Sequence, residues 1–234
     1  MADAAHSIGA AYRERSIPRL CDVAVFSFYS TKNLTCGEGG LVATRHKVLA
    51  DRVRTLSRHG ISAGTFERKR RQAWEYDVTG VGYKAGLSDI NAAIGLGQLT
   101  TFESDQARRR RLARRYLDNL ADLVDLIELP VEYKHFRHGW HLFIIKLHLA
   151  SLKIDRARFI KQLARNGIEC GVHYQPLFEF SIYRQNLGLS PQHFPNAAYA
   201  GRRVVTLPLY PTMKLSDVDY VCDHLRRVLK KNAR

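Results

Sequence analysis

The run Val23-Ala-Val-Phe-Ser-Phe28 is short, apolar and rich in β-branched and aromatic residues. That is the pattern of a strand covered on both faces of a parallel sheet. Gly40-Leu-Val-Ala-Thr44 predicts a second strand, and the stretch from about Lys47 to Arg58 a helix. Ser88 is placed to cap a helix over Asp89 to Gln98. A long arginine-rich helix follows, with Leu112, Tyr116, Leu117 and Leu120 at helical spacing. The remaining pattern predicts a strand over Trp140 to Leu147 and a helix over Asp155 to Asn166 closed by Gly167. Then come a strand near Glu169 to Tyr174, the segment Leu207-Pro-Leu-Tyr-Pro211, and an amphipathic helix from Ser216 to Leu229. The polar, basic stretch from Ser62 to Asp77 reads as a mobile loop. Strands alternate with helices, which is the grammar of an α/β protein.

Chemistry enters directly after the first strand, in Ser27-Phe-Tyr-Ser-Thr-Lys32-Asn33-Leu-Thr-Cys-Gly37-Glu-Gly39-Gly40. Ligands of parallel sheets collect at the carboxyl ends of strands, and the glycines let backbone approach closely, so Lys32 stands where a reactive amine would serve a cofactor. Taken alone it reads more simply as an exposed loop lysine.

Composition narrows the function classes. The 234 residues, 45% of them hydrophobic, suffice for a substantial core. The net charge of +15 and the cluster Arg108-Arg-Arg-Arg111 with Arg114-Arg115 raise nucleic-acid binding as a reading. The apolar stripe beside them makes these arginines the solvated coat of a packed helix, and no RNA- or DNA-binding motif stands out. No apolar run approaches the roughly 18 to 20 residues that cross a bilayer, and no signal peptide is evident, so a cytoplasmic location is expected. Cys21, Cys36, Cys170 and Cys222 are scattered, without the spacing of a zinc site or a disulfide framework.

Several motifs occur together in order: Ala2-Asp3-Ala-Ala-His6-Ser7, the Lys32 segment, Arg58-His59-Gly60, and Gly82-Tyr-Lys-Ala-Gly-Leu-Ser-Asp through Gln98-Leu99. Trp140-His-Leu-Phe-Ile-Ile, Gly171-Val-His-Tyr-Gln-Pro-Leu and Leu207-Pro-Leu-Tyr-Pro211 continue the series. In these the chain resembles the DegT/DnrJ/StrS family of sugar aminotransferases, and among them the enzymes that make UDP-4-amino-4-deoxy-L-arabinose. The resemblance implies an α/β chain of the pyridoxal 5′-phosphate (PLP)-dependent transferase fold, aspartate aminotransferase type I. Residues 1–104 would be the carboxyl-terminal part of the large PLP-binding domain and residues 105–234 the small α/β domain. Family members are already well into the large domain where this chain begins. The resemblance therefore also implies that a phosphate-holding helix N-terminus and the first strands are absent from it.

The same resemblance assigns the site. Lys32 is the lysine that condenses with the cofactor aldehyde and moves the proton, and Asp3 the carboxylate beside the pyridine nitrogen. His6 falls near the cofactor 3′-oxygen and Ser27 at the phosphate. Lys84 stands where family members present an asparagine to the phosphate across a homodimer interface. Tyr29, His173 and Tyr174 fall near the sugar nucleotide. Each has a plainer alternative: a chain-end charge for Asp3, a strand serine for Ser27, a solvated lysine for Lys84, packing for the histidines and tyrosines. A lysine at position 32 favours amino transfer over the dehydration performed by relatives with histidine there. The implied reaction takes the amino group from glutamate, releasing 2-oxoglutarate, and gives it to a nucleotide-linked keto sugar, a UDP-4-keto pentose, in polysaccharide or lipopolysaccharide biosynthesis. Neither nucleic acid nor membrane is expected as a partner, and no metal is expected. The competing reading is an N-terminally shortened, catalytically inactive chain, serving as a subunit of a split enzyme or an interaction module.

Overall fold

The computed structural model describes residues 1–62, 69–70, 72 and 74–234. The predicted loop from Ser62 to Asp77 lies in large part outside the described residues. The chain divides into two compact units, Met1–Gln106 with Tyr133–Gly139, and Ala107–Glu132 with Trp140–Arg234.

In the first unit, β1 (Ala2–Asp3) pairs in parallel with β4 (Val23–Ser27), which pairs antiparallel with β5 (Gly40–Thr44). The expected parallel pairing is thus found between β1 and β4, and β5 corrects the expectation of a wholly parallel sheet. β5 returns through the loop between residues 28 and 39, which forms no helix to carry a crossover, and it runs back alongside β4. The expected cover on both faces is corrected too. Ala24 and Phe26 are buried with Ala4, whereas Val25 on the opposite face is 37% exposed. β2 (Ala11–Tyr12) lies between β3 (Arg15–Ser16) and β7 (Phe136–Arg137), all antiparallel. Helix α1 (Lys47–Leu56) follows β5.

Helix α2 spans Asp89–Leu120 without a break, where the sequence suggested two helices. Gly95 and Gly97 lie within it, and neither takes the left-handed conformation that stops a helix. Ser88 Oγ accepts from Asn91 N–H at 3.2 Å, the expected cap.

In the second unit β8 (Phe143–Leu147) lies between β6 (Ile127–Glu128) and β9 (Val204–Leu207), again antiparallel. The strand begins at Phe143 and not at Trp140, because Trp140 sits at φ 43° and cannot continue a ladder. The strand expected near Glu169 reduces to one bridge, Gly171 to Thr206. Helix α3 (Arg156–Ala164) is capped by Asp155, whose carboxylate accepts from Arg158 N–H at 2.8 Å, and Gly167 follows at φ 70°. Two short helices, α4 (Ser181–Leu187) and α5 (Pro195–Gly201), precede β9. Helix α6 (Leu215–Lys231) buries Val218, Val221, Cys222, Leu225, Val228 and Leu229, the apolar stripe its spacing predicts.

The arginine run needs one correction. Arg109 is 5% exposed and donates to the carbonyls of Trp140 at 3.3 Å and Leu209 at 3.0 Å. Its position three before Leu112 and seven before Tyr116 puts it on the buried stripe, so it is no part of the solvated coat.

Candidate active site

Asp3 lies on β1 opposite Val25, and its Oδ1 accepts the amide of Ala5 at 3.0 Å. Ser27 ends β4. Its Oγ accepts from the Tyr29 amide at 3.3 Å, which leaves the hydroxyl proton to be donated elsewhere. The loop beyond is closed by its own backbone: Phe28 N–H donates to Gly39 O at 2.8 Å and Cys36 N–H to Phe28 O at 3.0 Å. Lys32 sits in a turn whose amide donates to Tyr29 O at 2.9 Å. Gly39 has to be glycine, since a Cβ there would stand 2.6 Å from Cys36 Sγ and 2.9 Å from a Leu87 methyl.

Lys32 is half-buried, and loss of water holds its amine below the usual lysine range. The Asp3 carboxylate acts on the same amine in the opposite direction, more weakly. Amine and carboxylate are thus brought within electrostatic reach from segments 29 residues apart. His6, three residues past Asp3, is half-buried and lines a cavity of about 380 Å³ with Tyr12, Ile17, Phe136 and His138. Tyr29 is 46% exposed. Lys84 is exposed and forms a bridge with Arg58, in a segment where Tyr83 N–H donates to Leu56 O at 2.7 Å.

His173 and Tyr174 belong to the second unit. The His173 ring nitrogen Nδ1 lies 2.8 Å from Thr206 Oγ1, and the two aromatic rings meet edge to face at 4.7 Å. Tyr174 is 61% exposed. Two buried residues of the first unit, Asn33 and Gln106, were not singled out from the sequence as part of the site. The only signal for Asn33 was its place directly after Lys32, and Gln106 offered none. Among the described residues no group of three or more His, Cys, Asp or Glu side chains is gathered as for a metal, and no helix is long and apolar enough to cross a membrane.

An amine whose pKa burial lowers, a carboxylate acting on it and a strand-end hydroxyl are the tools of carbonyl chemistry on a phosphorylated cofactor. The comparison with known proteins agrees. The model of the DegT/DnrJ/EryC1/StrS aminotransferase family matches residues 1–226. The chain belongs to this family. An uncharacterized protein of Methanocaldococcus jannaschii is 37% identical over 231 residues, covering 98% of this chain and 60% of that protein. The spore coat polysaccharide biosynthesis protein SpsC of Bacillus subtilis is 36% identical over 230 residues, covering 97% and 59%. Among solved structures, Spr1654 of Streptococcus pneumoniae, assigned as a sugar aminotransferase and solved in its PMP form, aligns with a TM-score of 0.89 at 30% identity. That alignment covers 98% of this chain and 58% of Spr1654. The chain thus spans about three-fifths of the length of the relatives it matches.

Family and neighbours place the chain in the α/β PLP-dependent transferase fold. They make pyridoxal 5′-phosphate its cofactor, since Spr1654 is also solved in a PLP form. The residues present fit that group: Lys32 offers an amine to its aldehyde, Asp3 a negative charge to its ring nitrogen, and Ser27 a free hydroxyl proton to its phosphate.

Proposed function

We propose that the chain carries the aminotransferase chemistry of its family, moving an amino group from glutamate to a nucleotide-linked keto sugar, with a UDP-4-keto pentose as acceptor, in the cytoplasm. The observation that supports this most is Lys32, whose amine burial holds below its ordinary range beside Asp3. A larger unprotonated fraction at neutral pH is what a nucleophile and proton carrier needs. The name of SpsC, a polysaccharide biosynthesis protein, supports a sugar acceptor. The formal charge of +15 would favour a diphosphate-bearing one.

In this reading Lys32 Nζ would hold the cofactor aldehyde and would carry the proton taken from the substrate carbon. Asp3 would keep a negative charge at the ring nitrogen, His6 would serve the 3′-oxygen, and Ser27 and Lys84 would hold the phosphate. When bound, pyridoxal 5′-phosphate supplies the electron sink that lets that carbon lose its proton. Tyr29, His173 and Tyr174 contact the sugar nucleotide. Residues 1–104 act as part of a large domain and 105–234 as a small one, and a second copy completes the phosphate site through Lys84.

One observation favours a second reading, in which the chain works as a subunit beside another polypeptide. Ile90, Leu96 and Leu99, spread around α2, are 75%, 66% and 54% exposed, apolar surface of the kind a partner covers. An absorbance titration with pyridoxal 5′-phosphate, then glutamate, separates the readings. A visible band that glutamate removes, and that Lys32→Ala lacks, supports the enzyme. A folded protein without a band supports the subunit.

A further inference from the structure

Two buried amides tie the Lys32 loop to the segment that follows Asp3 and His6. Asn33, 8% exposed, donates through Nδ2 to Gln106 Oε1 at 3.1 Å and to the carbonyl of Gly139 at 2.6 Å. Gln106, 2% exposed, donates in turn through Nε2 to the carbonyl of Ile8 at 3.0 Å. The backbone is cleared for these contacts. Gly9 stands at φ 80°, and a Cβ on it would fall 1.8 Å from Gln106 Nε2. A Cβ on Gly139 would fall 3.0 Å from Ile8 O. Buried amides with several directional bonds define a position sharply, because any slip leaves a polar atom without a partner in a place water does not reach.

We propose that Asn33 and Gln106 are positioning residues for Lys32: they lock its loop to the backbone two residues past His6, and so hold the amine in register with Asp3 and sheltered from water. The inference rests on the reading of Lys32 as the reacting amine. Gln106 lies 74 residues away in sequence and acts only through Asn33. A loop that drifts by about 1 Å misplaces a reacting atom enough to cost catalysis heavily, which is the use of such a lock.

The test reads the amine itself, on the full chain without cofactor. Lysines are acylated competitively across a pH series and quantified by peptide mass spectrometry, so that the midpoint for Lys32 is separated from its accessibility. Gln106→Met keeps the volume and removes the bonds; Gly9→Ala leaves both amides in place and intrudes on their contact. In both variants the Lys32 midpoint should rise toward an ordinary lysine's roughly 10.4. The midpoints of exposed lysines elsewhere should stay. Weaker retention of pyridoxal 5′-phosphate should accompany the shift. Variants with an unchanged circular dichroism spectrum and an unchanged Lys32 midpoint would overturn the proposal, since a merely structural role lowers stability without moving that midpoint. A measurement without variants guards against loss of folding: the Asn33 side-chain amide protons should exchange slowly with solvent in the intact protein, and fast exchange overturns the lock. If Lys32→Ala still bound the cofactor as tightly as the parent, the functional reading would fail, while these cofactor-free results would stand.

Discussion

The two units differ in how they are held together. The second has one continuous apolar core in which Tyr116, Phe143, Ile145, Phe159, Val205 and Leu225 are fully buried, with Phe143 stacked against Tyr116 at 4.7 Å. Among the described residues, the first gathers Ala4, Ala24 and Phe26 around its sheet with Ile8, Ile17, Phe28 and Ala43 partly buried against them, and supplements them with short hydrogen-bonded loops and the buried Asn33–Gln106 pair. The contrast teaches where each kind of order is spent. Non-directional burial stabilises the second unit, while directional bonds in the first specify where Lys32 and Asp3 stand.

The contrast is broken most directly by emptying each core. Phe143→Ala should cost roughly 3–5 kcal/mol, because it removes a fully buried ring from among rings that cannot all collapse inward. Phe26→Ala, with small neighbours in Ala4 and Ala24, should cost less. Urea unfolding followed by the fluorescence of buried Trp140 and by circular dichroism measures both. Equal losses would mean that the first unit is packed as firmly as the second.

Thiol chemistry sharpens the same point with a smaller effect. Burial pushes Cys170 and Cys222 up to about 12. An unfolded thiol titrates near about 8.5, so at pH 8 their thiolate fraction should be roughly a thousandfold lower than in the unfolded chain. Iodoacetamide should therefore modify half-buried Cys21 of the first unit well before either. The stability consequence follows the raised values: the folded state keeps protons that the unfolded state releases. This contribution is fully present below about 8.5 and is lost as pH rises toward the folded value. Urea midpoints that stay flat between pH 8 and 10 would contradict it.

Much of this arrangement was legible in the sequence, and what was not shares one physical character. Helix α6 was readable because its apolar residues recur with the period of the element that buries them, and strands β4 and β5 because they are short apolar runs. The Lys32 loop was readable as a motif. The antiparallel return of β5 depends on a connection that forms no helix, which the periodicity of either strand does not carry. Arg109 and the Asn33–Gln106 pair were missed because long or polar side chains are expected in water, and burial of a polar group is decided by partners far away in sequence. Arg109 could have been found by giving the stripe of Leu112 and Tyr116 one more turn, whereas Gln106 meets Asn33 across 73 residues and leaves no local trace.

The smallest expected effect concerns the polar rim of each unit. In the second unit, Arg115 holds Asp219 with Nε at 2.6 Å and a second nitrogen at 2.9 Å, Asn119 adds a bond at 2.7 Å, and Arg226 pairs with Asp122 nearby, so α2 and α6 are strapped across about a hundred residues of chain. In the first unit Asp51 pairs with Lys47 and Arg54 on α1 itself and, among the described residues, joins nothing distant. Hydrogen bonds from Arg115 first and Asn119 second hold the Asp219 carboxyl below its usual range. Its folded value lies below its unfolded one, so the stability it contributes is present above about pH 3.9 and is lost as pH falls through the folded value. Asp219→Asn should therefore lower the urea midpoint at pH 7 slightly, and the parent and the variant should converge as the pH is taken below 3. Because the pair is largely open to solvent, about 1 M salt should shrink the pH 7 difference as well. A difference that survives acid and salt alike would show that Asp219 acts by packing, and that the second unit leans on its core even at its rim.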